Sequence, residues 1–167
     1  MSRVLVLTIF LIVTFEAKAQ ANAHACYSGE IEVVSCTVRH NKKLLSICGG
    51  RDRSYVFYRF RKREKLELEV EFSAANQIVR WVQPRNLVTF FSFDRGGYSY
   101  TVGVPQETFG ARAYYFVRRV GEPIDFNAPI YCTSNSLGDK NWRSDAIADL
   151  DSASLEDEKR VCGEQGC

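Results

Sequence analysis

Histidine is nearly absent from this chain of 167 residues, which holds only His24 and His40. His24 lies near the N-terminus and His40 falls in a predicted polar turn, so neither suits a Ser-His-Asp triad or a multi-histidine zinc site. Gly-x-Ser-x-Gly, P-loop and dinucleotide-binding motifs are also missing. The sequence therefore predicts a protein that is not an enzyme and that holds no cofactor and no metal.

Long apolar runs are scarce, and the only one covers residues 4–15. Twelve residues are too few to span a membrane but suit the hydrophobic region of a secretory signal peptide. Small residues follow at alternate positions, as signal peptidase requires, so we expect a signal peptide over residues 1–25. Cleavage could follow Ala19, Ala21, Ala23 or Ala25.

Two alternatives to simple cleavage remain open. The apolar run could stay as an uncleaved anchor, although Glu16 and Lys18 close it early. A lipoprotein is conceivable because Cys26 follows Ala25, but Ala23 stands where a lipidated cysteine usually has a bulky aliphatic residue. After cleavage we expect no membrane span.

The charge of the mature chain is nearly balanced, with 20 basic and 19 acidic residues beyond position 25. This balance gives no reason to expect nucleic acid as a partner.

The chain has no Cys-x-x-Cys pair, which disfavours a metal site, and all its cysteines follow the apolar run. In an exported chain six cysteines predict up to three disulfides and a periplasmic or secreted location. Cys36 and Cys48 flank residue 42 symmetrically, so we predict that they bridge opposite strands of one hairpin. The pairing of the other four stays open: Cys26, Cys132, Cys162 and Cys167.

Helical periodicity of useful length is also lacking, whereas alternating and β-branched segments recur. The clearest is residues 66–72, in which apolar residues alternate with Glu67, Glu69 and Glu71. About eight or nine short strands are predicted between Val33 and Cys132. The fold class is therefore all-β, an antiparallel sandwich or barrel formed by residues 26–132. Residues 133–167 are predicted to be a linker followed by an acidic tail, either a short helix starting at Ser144 or disordered.

One strongly basic segment, residues 51–65, carries seven positive residues interleaved with aromatic ones. It could bind anions, but a solvated hairpin tip is the simpler interpretation, because the following glutamates would neutralise much of its field. Six residues on predicted loops and strands are possible binding residues: Arg61, Lys62, Arg63, Arg95, Tyr98 and Tyr100.

Several segments together resemble a group of small exported proteins of Gram-negative bacteria. The resemblance lies in residues 36–48, in Tyr58-Arg59-Phe60, in Leu66-Glu67-Leu68 and in residues 93–102, which are similar to that group's Arg-x-Gly-x-Tyr-x-Tyr-x-Val element. Cys132 stands where the group has a third cysteine, and Arg61 departs from its usual glycine. The resemblance covers about residues 33–132 and implies a compartment and a fold rather than an activity.

A looser likeness is to periplasmic lysozyme inhibitors, which are also small disulfide-bonded β proteins. Their serine-glycine motif is only partly matched, because Ser28-Gly29 is not followed by the expected tyrosine. The leading hypothesis is a non-enzymatic binding protein of the cell envelope, such as an inhibitor or immunity-type factor, whose partner is another protein. The alternatives are a small secreted hydrolase with paired carboxylates and an anion-binding module built on residues 51–65.

Overall fold

The computed structural model describes residues 25–122 and 125–151, and within these ranges the fold is all-β with no helix. The first four strands form one antiparallel sheet in chain order: β1 (Glu30–Thr37), β2 (Lys43–Gly50), β3 (Tyr55–Lys62) and β4 (Lys65–Ser73). The prediction of an all-β fold is confirmed, and the predicted strand with the glutamate stripe is β4.

The remaining described strands form a second sheet with the order β10-β5-β6-β7-β8-β9. They are β5 (Ile78–Gln83), β6 (Val88–Arg95), β7 (Tyr98–Val104), β8 (Tyr114–Arg119), β9 (Ile130–Tyr131) and β10 (Ile147–Asp149). Gly96 and Gly97 join β6 to β7 and both have positive φ, which a two-residue turn matching the twist of its strands requires. Strand β10 is parallel to β5, and the other neighbouring strands are antiparallel.

Both sheets contribute buried side chains to one hydrophobic core. The ring of Tyr58 on β3 contacts that of Phe93 on β6 edge to face, with centroids 4.8 Å apart. Phe60 and Tyr115 make a similar contact at 5.8 Å. Isolated bridges also link the sheets, since Val38 pairs with Cys132 and Ser73 pairs with Asn76. The two sheets are therefore halves of one packed unit.

The predicted Cys36–Cys48 disulfide is wrong. Cys36 bonds Cys132, and Cys48 bonds Cys26. The hairpin turn is centred between His40 and Asn41 rather than at residue 42, so Cys36 lies opposite Leu45. Cys48 is three residues further along β2, and successive side chains point to opposite faces of a strand, so the two thiols cannot meet.

Residues 133–151, predicted as a linker and the start of a tail, are part of the packed structure. Ala146 and Ile147 are buried in the core, and the ring of Trp142 fills the space where a side chain of Gly49 would stand. Ser144 does not begin a helix within the described residues, because the turn that it starts leads directly into strand β10. Its hydroxyl accepts the amide N–H of Ala146 in that turn (3.1 Å). The rest of the predicted tail, with Cys162 and Cys167, lies outside the described residues.

Candidate functional site

The basic segment does not form one surface. Arg51 and Arg53 lie in the turn before β3, whereas Lys62 and Arg63 lie at the far end of that strand. A strand of eight residues separates them by roughly 25 Å. Between the two ends, Arg59 is only 2% exposed and its charge is neutralised inside the protein. The structure therefore brings together few of the cations that the anion-binding alternative needs.

Arg59 is the centre of a buried ionic cluster on the first sheet. Its guanidinium donates two hydrogen bonds to Glu30, at 2.7 and 2.8 Å, and one to Glu69 at 2.6 Å. The rings of Tyr27 and Phe57 lie 4.2 and 4.3 Å from its central carbon. Burial by itself would lower the pKa of Arg59, but the two carboxylates more than offset this effect and raise it. Arg59 thus stays positively charged and is fully paired with carboxylates, so the cluster serves to hold the fold together.

The N-terminal strap, residues 25–30, lies across the same sheet. The Cys26–Cys48 disulfide ties it to β2, and Glu30 ties it to Arg59. Arg61, predicted as a binding residue, donates a hydrogen bond to the carbonyl oxygen of Ala25 and packs against Tyr27. Since the sulfur of Cys26 is bonded to Cys48, it is not free to carry a lipid thioether.

The other predicted binding residues divide between surface and core. Arg95 and Tyr98 flank the turn between β6 and β7, and both are exposed. Tyr100 stacks on Phe93 at 5.0 Å and belongs to the packing of the core. Arg95 donates a hydrogen bond to the carbonyl oxygen of Glu69, which lies on β4.

The paired-carboxylate alternative points to a cleft of about 840 Å³ beside β4. Glu71 and Asp94 both line it, together with Arg95 and Arg118. Asp94 accepts a hydrogen bond from the hydroxyl of Ser99. The described geometry thus brings two carboxylate-bearing residues to one cleft.

Metal-binding chemistry has one geometric candidate among the described residues. The ligand atoms of Cys26, Glu30 and Cys48 lie within 4.8 Å of one another. Cys26 and Cys48 form a disulfide, whereas a cysteine binds a metal ion as its thiolate. The remaining carboxylate already bonds Arg59. These three residues therefore do not make a metal site.

A different part of the molecule carries the most exposed apolar side chain among the described residues. Phe109 is fully exposed, at 109%, in the loop between β7 and β8. Leu137 is 84% exposed, and Val82 and Leu87 are also exposed. Val82 and Leu87 share a depression with Thr108, the neighbour of Phe109. We call three of these residues the Phe109 patch: Val82, Leu87 and Phe109.

The loop that carries Phe109 is fastened at its base and closed at its tip. The side-chain amide of Asn135 donates to the carbonyl oxygen of Pro105 at 3.1 Å, and the ammonium of Lys140 donates to the same oxygen at 3.0 Å. At the tip, the amide N–H of Ala111 donates to the carbonyl oxygen of Thr108 at 3.0 Å. Gly110 has a φ of 81°, which this turn requires and other residues rarely adopt. The loop thus presents Phe109 in a defined position.

Reasoning from the sequence missed the Phe109 patch because exposure of an aromatic residue depends on the tertiary structure. One local signal was available. Phe109 stands alone in a polar stretch between Pro105 and Gly110, with no alternating partner that would place it in a strand. A lone large aromatic residue in a turn-rich loop has no local reason to be buried, and such loops often carry binding residues.

The fold and these contacts define a class: a disulfide-bonded, all-β protein. Within the described residues, none belongs to a helix long and apolar enough to cross a membrane. Comparisons with protein-family models, with curated proteins and with solved structures give no match to this chain.

Proposed function

We propose that this chain is an exported, non-enzymatic binding protein of the cell envelope, of the inhibitor or immunity type. It docks a partner protein through the Phe109 patch. The observation that carries the proposal is the full exposure of Phe109 on a fastened loop. Covering an exposed aromatic side chain with a partner's apolar pocket lowers the free energy of the system. Aromatic residues also dominate the binding energy of interfaces.

Several features of the scaffold support this use. A loop held by Asn135 and Lys140 loses little conformational entropy when it binds, which favours affinity. The finer architecture that we propose is a barrel, closed by the Val38–Cys132 and Ser73–Asn76 bridges. Two disulfides are compatible with an oxidising compartment outside the cytoplasm. The partner chemistry that fits is a protein pocket lined by aliphatic and aromatic side chains.

The proposal is tested by comparing the wild-type protein with Phe109→Ala as bait in periplasmic extract. A captured protein should be lost when Phe109 is replaced, because an aromatic anchor at an interface contributes about 2 kcal/mol or more, roughly 30-fold in Kd. The melting temperature should not change, since Phe109 packs on nothing. The affinity for the purified partner, measured by calorimetry, gives the magnitude.

The matched control is Tyr98→Ala. Tyr98 is an exposed aromatic residue at the opposite end of β7, beside the predicted binding residue Arg95. Binding should survive this substitution. Loss of binding with Tyr98→Ala and retention with Phe109→Ala would reject the Phe109 patch in favour of the β6–β7 turn. Capture that neither substitution alters would reject both surfaces.

A further inference from the structure

We infer that the leader peptide is cleaved before Ala25, after Ala19, Ala21 or Ala23, and that Ala25 remains in the mature protein as part of the N-terminal strap. The inference rests on the export that the proposed function includes. It concerns the processing site, which the alternating alanines leave undecided between four positions.

Ala25 behaves as a residue of the folded domain. It is only 8% exposed, and its carbonyl oxygen lies 3.6 Å from the sulfur of Cys48. The same oxygen accepts the hydrogen bond from Arg61. The contact with Cys48 and the hydrogen bond from Arg61 hold the peptide group between Ala25 and Cys26 against the first sheet.

The carbonyl oxygen of Ala25 is the hydrogen-bond acceptor of the Arg61 guanidinium. Arg61 is half-buried, its Nε is buried without a hydrogen-bond partner, and its Nη2 donates to the carbonyl oxygen of Ala25 beside the ring of Tyr27. A partly buried charged donor that loses its acceptor destabilises the folded state. Arg61 thus holds the strap through this contact.

Cleavage after Ala25 would replace a hydrogen-bond acceptor beside Arg61 with a positively charged donor. The acceptor carbonyl would leave with the leader, and the new α-amino group of Cys26 would stand beside the Arg61 guanidinium. Two cationic donors would then face each other where a donor and an acceptor meet now. Glu30 and Glu32 line the same depression as Cys26. Glu30 already accepts hydrogen bonds from Arg59 and from the amide N–H of Tyr27, and Glu32 accepts the hydroxyl of Ser35 at 2.5 Å.

The direct test is the intact mass of the protein exported from the full-length chain in a Gram-negative host. A mature chain beginning at Gln20, Asn22 or His24 supports the inference. A chain beginning at Cys26, with or without a lipid, overturns it. An uncleaved chain overturns both this inference and the exported state, whereas the proposed docking through Phe109 is tested separately by its own substitution.

A second measurement probes the contact itself. Secreted chains engineered to start at His24 and at Cys26 are compared by thermal unfolding, each with Arg61 and with Arg61→Met. The chain starting at Cys26 should melt several degrees lower when Arg61 is present. Arg61→Met removes the donors and should abolish most of that difference. Equal melting temperatures of the two starts with Arg61 in place would overturn the role assigned to Ala25.

Discussion

At the scale of single residues, the first sheet is organised around one buried arginine. Arg59 satisfies its donors with Glu30 and Glu69 and lies between two aromatic rings. Buried ion pairs contribute little net stability compared with apolar packing, but removing one member leaves an unpaired charge in a poorly solvated place. The arrangement fixes where the N-terminal strap lies, because Glu30 belongs to the strap and Arg59 to β3.

We predict that Arg59→Met lowers the free energy of unfolding by about 3–5 kcal/mol, because Glu30 is left buried without its partner. Adding Glu30→Gln should recover part of this loss by removing the unpaired charge. Urea unfolding followed by fluorescence measures both. Lys62→Met, an exposed position on the same strand, is the control and should change stability by less than about 0.5 kcal/mol. An Arg59→Met variant as stable as this control would contradict the role given to the cluster.

At the scale of elements, the two disulfides act on different parts of the chain. Cys26–Cys48 joins residues 22 apart and fastens the strap, whereas Cys36–Cys132 joins residues 96 apart and connects the first sheet to the end of β9. The longer loop restricts the unfolded chain more, so its closure removes more conformational entropy from the unfolded state.

We predict that replacing Cys36 and Cys132 with serine destabilises the protein more than replacing Cys26 and Cys48. Chain-entropy arithmetic gives about 4.7 kcal/mol for the longer loop and about 3.4 kcal/mol for the shorter one. Chemical unfolding of the two double variants measures the order, and non-reducing peptide mapping of the wild type checks the pairing. A map that joins Cys36 to Cys48 would contradict this structure, and a larger loss for the Cys26–Cys48 variant would contradict the entropic argument.

At the scale of the whole molecule, the core is shared between two sheets and is rich in tyrosine. Burial raises the pKa of Tyr58, with smaller contributions from Tyr115 and Tyr100. Burial also raises the pKa of Tyr114 to about 12, and that of Tyr115 in the same direction. Each raised pKa means that the folded state holds the phenolic proton more tightly than the unfolded chain, whose ordinary value is about 10.

We therefore predict alkaline unfolding. Stability is complete below about pH 10 and falls as the pH rises from there through the folded pKa of Tyr114, because the unfolded chain releases these protons first. Urea unfolding at intervals from pH 8 to 12, with tyrosinate absorbance, measures the decline. Tyr114→Phe should make the decline shallower without abolishing it, because the pKa values of Tyr58 and Tyr115 are also raised. Tyr98→Phe, at an exposed position, should leave the decline unchanged. A stability that does not depend on pH in this range would refute the prediction.

The sequence by itself determined the all-β class and nearly all the strands of the two sheets. Alternation in residues 66–72 and the Gly96-Gly97 turn are local patterns, and β4, β6 and β7 follow from them. The tertiary structure decided the rest. The register of the first hairpin put Cys36 and Cys48 on opposite faces. The packing of residues 133–151 and the burial of Arg59 depend on contacts between distant segments, which no local pattern encodes.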